Sequence, residues 1–319
     1  MASASWRTSR RRVWRGRGCP LRRSLPASNA CWAEGSRTVA TVYLNGRFVP
    51  KGEAMISVED RGFVFGDGIY EVVRAIDGKL FEWPAHAERL AYGLKELRID
   101  ATGTDTLGEV CLQLLRDNAL TDGEATLYIQ VSRGAAPRTH YFPPAGTANT
   151  VYASASRFVP NMDMRTKGVK AITFPDQRWA RCDIKTVNLL GPVLARQAAV
   201  EQGAYEALLH RDGMITEGAA TTAFAVIDGV LRTAPLSNYL LPSITRAVLM
   251  QLIRGAGIHH EERAFTLMDL RKASEIFVCG TTTDVQPVVT LDGQPVGNGT
   301  PGPVTVSIRE LFAKRLYGR

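Results

Sequence analysis

Three places in the chain combine residue types that could do chemistry. Lys185 stands in Arg181-Cys182-Asp183-Ile184-Lys185-Thr186-Val187-Asn188-Leu189-Leu190, among aliphatic neighbours and just ahead of an expected helix. Desolvation at such a place lowers an ammonium pKa and frees the amine to condense with a carbonyl compound. The same stretch also suits a lysine that runs its stem along apolar surface and keeps its head in water. Glu217 stands in Met214-Ile215-Thr216-Glu217-Gly218, after the turn Arg211-Asp212-Gly213 and before Ala219-Ala220-Thr221-Thr222. A single acid there is either a solvated loop carboxylate or the partner of a cationic ring. Arg138 and His140 alternate in Pro137-Arg138-Thr139-His140, within an expected loop. On extended backbone they project to one side, where guanidinium and imidazole can jointly grip a carboxylate.

Such groups need elements to hold them. Residues 41–49, with Asn45-Gly46 at the centre, predict a β-hairpin, because Asn-Gly tolerates the positive φ of a tight type I′ turn. Asp77-Gly78, Asp228-Gly229 and Asp292-Gly293 repeat the device, so much of the sheet structure should be antiparallel. Apolar spacing predicts helices over 84–97, 105–118 and 243–254, the last capped by Ser243, with further helices over 190–202 and 304–316. Strands are expected at 69–76, 126–132, 151–154, 169–174, 205–209, 221–227 and 275–279. Strand clusters mixed with helices, without strict alternation, predict a mixed α/β (α+β) fold rather than a doubly wound sheet. Pro160 and its polar neighbours make 157–163 the expected link between an N-terminal α/β domain, 39–157, and a C-terminal one, 158–319.

With 319 residues and 45% hydrophobic content the chain can bury a substantial core. Apolar runs such as 204–209 and 219–227 are too short to cross a bilayer as a helix, so no membrane span is expected. Cys19, Cys31, Cys111, Cys182 and Cys279 form no C-x-x-C pair. That argues against a zinc site or disulfide framework, and no metal is expected; a reducing, cytoplasmic setting is. The formal charge of +8 is carried by residues 1–39, where nine arginines face Glu34 alone; the remainder is balanced and would not recruit a nucleic acid. An RNA-binding or membrane-surface protein built around the Arg-rich leader is thereby disfavoured. Residues 1–38 lack a sustained period and an apolar h-region, and are expected to form a basic, disordered extension. Three readings compete for them: an organelle transit peptide, a basic tail, or translated sequence upstream of the true start. Pattern begins abruptly near Val39, and a valine codon can start bacterial translation, which favours the third.

Taken together, several segments resemble, in this order, the class IV pyridoxal-phosphate-dependent aminotransferases. They are Phe63-Val64-Phe65-Gly66-Asp67-Gly68-Ile69-Tyr70-Glu71-Val72-Val73, His86-Ala87-Glu88-Arg89-Leu90, Arg138-Thr139-His140, Cys182-Asp183-Ile184-Lys185, Thr216-Glu217-Gly218, Ser243-Ile244-Thr245-Arg246 and Gly280-Thr281-Thr282. The resemblance covers about residues 40–317 and is nearest to the D-amino-acid branch. It implies the fold-type IV architecture: two α/β domains with the active site between them and at the interface of a homodimer.

The resemblance also implies roles. Lys185 would hold pyridoxal 5′-phosphate covalently and move the proton between the substrate Cα and the cofactor. Glu217 would keep the pyridine nitrogen protonated. Arg89 would bind the phosphate, helped by Ile244, Thr245 and Thr281 at and beyond a helix start. Tyr70, Arg138 and His140 would trap the substrate α-carboxylate, the arginine and histidine coming from the neighbouring subunit. The implied reaction exchanges an amino group between a D-amino acid (D-alanine, D-glutamate) and a 2-oxo acid (2-oxoglutarate, pyruvate). A branched-chain L-amino-acid aminotransferase or an aminodeoxychorismate lyase on the same fold is the rival, and Arg138-Thr139-His140 separates it from the D-specific reading. Ala219-Ala220-Thr221-Thr222 and Gly280 depart from the family's more usual serine and asparagine, which bears on contacts around the cofactor rim.

Overall fold

The computed structural model describes residues 40–318; the expectations for residues 1–38 lie outside them. Strands β1 (Thr41–Leu44), β2 (Arg47–Pro50), β3 (Gly68–Ile76), β4 (Lys79–Leu80), β5 (Glu124–Ser132) and β6 (Thr150–Arg157) form an antiparallel sheet in the order β2-β1-β6-β5-β3-β4. Asn45 and Gly46 take φ of 49° and 86°, and Leu44 faces Arg47, so the first hairpin turns as its Asn-Gly requires. The short helix α1 (Arg61–Phe65) precedes β3, and α2 (Trp83–Glu96) and α3 (Leu107–Asp117) cover one face of the sheet. Leu90 and Leu94 of α2 and Leu107, Cys111 and Leu114 of α3 pack onto Val73, Leu127, Ile129 and Val131. Each aliphatic side chain so buried contributes about 1.5–3 kcal/mol.

The rest of the chain builds a mixed sheet. After α4 (Met162–Lys167) come β7 (Val169–Pro175), α5 (Leu190–Glu201), β8 (Glu206–Arg211), β9 (Met214–Gly218), β10 (Thr222–Ile227), β11 (Val230–Thr233) and α6 (Ile244–Gly255). Then follow β12 (His260–Glu262), α7 (Leu267–Lys272), β13 (Glu275–Gly280), β14 (Asp284–Leu291), β15 (Gln294–Pro295) and α8 (Pro303–Tyr317). Strand order is β12-β11-β10-β13-β14-β7-β8-β9, with β15 on β14; β7 runs parallel to both β14 and β8. Helices α6 and α8 bury Leu249, Ile253, Ile308 and Phe312 on Phe224, Phe277 and Val285. The fold class is mixed α/β, as the irregular order of elements foretold.

The expected link at 157–163 is shorter in the structure, because β6 extends through Arg157 by pairing with Ala125, and α4 begins at Met162 with Asn161 as its cap. Of two strands that alternation did not flag, β9 carries Glu217 into the site, and β14 begins at Asp284, just after residues 280–283.

Candidate active site

A cavity of about 480 Å³ opens between the two sheets and is lined by Tyr70, Arg89, Lys185, Glu217, Ser243 and Thr281, among others. Its most telling group is Lys185. The Lys185 carbonyl accepts a hydrogen bond from the Tyr70 N–H at 3.0 Å, and Val187 N–H donates to Gly68 at 3.0 Å, so this segment is laid along β3. Gly68 is required there: a Cβ would lie 2.7 Å from the Val131 carbonyl oxygen. Ile184, buried beside Lys185, joins the core beneath α2. Nζ stands 4.3 Å from the centre of the Tyr70 ring. Desolvation, reinforced by the nearby Arg89 cation, brings the Lys185 pKa down to about 8, against the pull of Glu71 and Glu217. A substantial fraction of the amine is therefore neutral near pH 8, the form that adds to a carbonyl.

Glu217 is a strand residue on β9, only 4% exposed, and not a solvated loop acid. Arg178 donates to it, and the Leu241 N–H donates to its carboxylate at 3.2 Å. Burial raises the Glu217 pKa, opposed by Arg178 and by the Leu241 amide. Arg178 is itself fixed by Asp176 through bonds of 2.9 Å from Nε and Nη2 and by the Tyr239 carbonyl at 3.1 Å. Gly218 follows because the buried Glu206 and Thr221 pair, 2.9 Å apart, crowds that position: a Cβ would meet Thr221 Oγ1 at 2.1 Å.

Arg89 on α2 is gripped on two sides by Glu71, with Nε–Oε1 at 2.7 Å and Nη2–Oε2 at 2.8 Å, and donates from Nη1 to the Pro242 carbonyl at 2.9 Å. Glu71 also faces His86 Nδ1 at 2.8 Å. Burial would raise the Glu71 pKa, but the Arg89 and His86 hydrogen bonds win and hold it at about 2. His86 is pushed down by its own burial and stays neutral at pH 7. The Pro242 bond carries Arg89 to the start of α6, whose cap Ser243 accepts from the Arg246 N–H at 3.2 Å. Ile244 and Thr245 open that helix, where free amide donors and the helix dipole favour an anion.

The structure thus brings Lys185, Tyr70, Arg89, Glu217 and Thr281 to one cavity, with Ile244 and Thr245 at the helix start beside it. Arg138 and His140 do not line it. Both are exposed against Phe65: the Arg138 guanidinium is 5.3 Å from that ring's centre, and the His140 ring is 5.8 Å away. Two groups that sequence reasoning passed over now carry the electrostatics, Glu71 and Arg178. Glu71 could have been flagged as one of two charges, with Arg74, in a strand whose other residues are apolar, Gly or Tyr, and each such charge demands a partner. Arg178 lies in a loop of ordinary polar composition and gave no such signal.

With this geometry in view, the model of the amino-transferase class IV family matches residues 68–291, and the chain belongs to that family. A D-alanine aminotransferase of Staphylococcus haemolyticus is 43% identical over 279 residues, spanning 87% of this chain and 98% of that one. Among solved structures, a branched-chain amino acid aminotransferase of Escherichia coli superposes with a TM-score of 0.79 at 28% identity, covering 88% of this chain and 94% of its own. A hypothetical aminotransferase of Mycobacterium tuberculosis in its PLP-bound form gives 0.75 at 25% identity, over 88% and 100%.

Proposed function

We propose that this chain is a pyridoxal-phosphate-dependent transaminase that passes the amino group of a D-amino acid, such as D-alanine or D-glutamate, to a 2-oxo acid such as 2-oxoglutarate or pyruvate. The observation that carries the reading is Lys185, an amine with its pKa lowered to about 8 inside a cavity that also holds a buried acid and a buried arginine. The donor set suits the cofactor: the amine for its aldehyde, Glu217 for its pyridine nitrogen, and Arg89 with the α6 amides, Thr245 and Thr281 for its phosphate. The D-alanine aminotransferase relative supports the D-amino-acid substrate over the branched-chain alternative, as does Arg138-Thr139-His140.

When bound, the cofactor supplies an electron sink for the pair left on the substrate Cα. Lys185, mostly neutral above about pH 8, would take the Cα proton as base and give it back as acid. Glu217, held by Arg178 and the Leu241 amide, would keep a proton on the ring nitrogen. Tyr70, with Arg138 and His140, orients the substrate carboxylate so that one face of Cα meets Lys185.

Because Arg138 and His140 stand outside the cavity of their own chain, the proposal includes a homodimer in which each copy completes the other's site. Met55, Val58, Phe63 and Tyr141 expose 72–78% of their surface. They belong to two segments joined by the Asp60–Ala135 bridge, beside Arg138 and His140. Exposed apolar groups so close to two site residues fit a self-association surface. Residues 39–157 and 158–319 are read as two domains, since Tyr70 and Arg89 come from the first and Lys185, Glu217 and Thr281 from the second. Among the described residues no helix is long and apolar enough to cross a membrane, and Cys111, Cys182 and Cys279 are free and buried, in keeping with a cytoplasmic setting.

The test is a half-reaction with matched D- and L-alanine on the cofactor-loaded protein, followed by absorbance. D-alanine should convert the chromophore at least a hundredfold faster; a preference for L-alanine would overturn the substrate assignment.

A further inference from the structure

Behind the Thr281 turn lies a group of buried charges that neither the proton transfers nor the carboxylate trap uses. Arg74, on β3 and 1% exposed, is the largest fully buried side chain among the described residues. Its Nη1 donates to the Thr281 carbonyl at 3.2 Å and stands 3.5 Å from Asp284 Oδ1; its Nη2 pairs with Glu124. The guanidinium lies over the Phe158 ring, 3.8 Å from its centre. Asp284 in turn pairs with the buried Arg165 at 2.7 Å, and Glu124 accepts from the Tyr317 hydroxyl at 3.0 Å. Two guanidinium groups and two carboxyl groups thus meet where the first sheet reaches the β13–β14 turn of the second, all buried except the partly exposed Glu124.

Such an assembly is expensive to bury, since replacing ion pairs with apolar groups of similar volume is often neutral or stabilising. Its position offers a reason to keep it. The turn Gly280–Thr283 is closed by a Thr283 N–H bond to Gly280 and is followed by Asp284 at φ 55°, a left-handed conformation unusual for a non-glycine residue. Thr281 is the only residue of this turn besides Gly280 that lines the cavity. The peptide bonds of the described residues are trans, so each sets its C=O and N–H in opposite directions. Holding the Thr281 carbonyl on Arg74 therefore fixes the peptide plane between Thr281 and Thr282, and with it the direction of the Thr282 N–H.

We propose that Arg74, braced by Asp284, Glu124 and Arg165, is a positioning residue: it holds the Thr281 turn in the conformation that receives the phosphate of the cofactor. This rests on the function proposed above, and it adds that phosphate affinity is set partly from the other sheet, by a residue that never touches the ligand.

The phosphate makes the role separable from general support of the fold. The full-length protein, stripped of cofactor, is titrated with pyridoxal phosphate and, separately, with pyridoxal, following absorbance and fixing the product with borohydride for mass analysis. In Arg74→Met the affinity for pyridoxal phosphate should fall about tenfold while that for pyridoxal changes less than twofold. Arg74→Lys, which restores a charge but not the fork, should recover part of the loss. Should Arg74→Met fold poorly, Asp284→Asn preserves shape and removes one brace; it should lower the same ratio about threefold. Equal losses for both ligands, or an unchanged ratio in the folded variants, would overturn the inference. Failure of the unsubstituted protein to bind pyridoxal phosphate at all would instead sink the proposed function.

Discussion

Glu71→Gln isolates the charge that holds Arg89, the arginine proposed to bind the phosphate. The Glu71 carboxyl lies 1% exposed, accepts two hydrogen bonds from Arg89 and faces His86, and its pKa is held at about 2 against an ordinary value of 4.5. A depression of that size is linked to about 3 kcal/mol of stability, at about 1.4 kcal/mol per unit. The sign follows from the direction of the shift. The folded state holds the proton less tightly than the unfolded chain, so the contribution is complete well above pH 4.5 and drains away as pH falls toward 2. Integrating between those two values leaves about 2 kcal/mol at pH 3.5. Glutamine keeps the shape but cannot titrate. The difference in unfolding free energy between wild type and Glu71→Gln, from urea titrations at a series of pH values, should therefore narrow by about 1.4 kcal/mol between pH 7 and pH 3.5. A gap that stays constant over this range would show that the carboxylate charge is not what anchors Arg89, and the electrostatic reasoning for this end of the site would fail.

Further outcomes follow from the same geometry. Lys185→Ala should lose the mass increment that borohydride fixes in the wild type, and a retained increment would assign the link to another amine. Between pH 6 and pH 9 the rate at which the stripped protein captures added pyridoxal phosphate should climb with a midpoint near 8, because only the deprotonated Lys185 amine adds to the aldehyde; a midpoint near 10 would contradict the desolvated position of Nζ. An inactive Lys185→Ala protein mixed and reassociated with an inactive Arg138→Ala, His140→Ala protein should regain about a quarter of wild-type turnover, since half the dimers are mixed and each has one intact site. Activity that stays absent after subunit exchange is verified would refute the shared site.

Much of the architecture could be read directly from local chemistry. Asn45-Gly46, Asp77-Gly78, Asp228-Gly229 and Asp292-Gly293 all adopt positive φ in two-residue hairpin turns, because turn conformation is decided by the residues within the turn. Ser243 caps α6 for the same reason. Strand β9 was less visible: every residue from Ile215 to Gly218 is buried, so it shows no alternation, and its acid made it look like a loop. Strand β14 is buried on both faces for most of its length and is interrupted by Pro287, which lowers its strand signal although the ladder to β13 continues through that position. Where burial is two-sided, period carries no information about which face is inside.

The site residues divide along a similar line. Lys185, Glu217 and Arg89 are recognisable from their segments, whereas the pairings that give them their properties join residues far apart in sequence: Glu71 with Arg89, Arg178 with Glu217, Arg74 with Thr281. On the proposed reading, these pairings also bear on what would stabilise a bound phosphate. Arg89 and Arg178 are each already matched by a buried carboxylate, Glu71 for one and Glu217 with Asp176 for the other. Neither brings an uncompensated positive charge to the cavity, and Lys185 is partly neutral by pH 8. A phosphate bound as proposed would therefore be met less by net charge than by oriented donors: the remaining N–H groups of Arg89, the first amides of α6 and the Thr281 turn. Donors of that kind act only if their directions are fixed before the ligand arrives. That requirement gives the chain a physical reason to enclose Arg74, Asp284, Glu124 and Arg165 behind the turn despite the desolvation they cost.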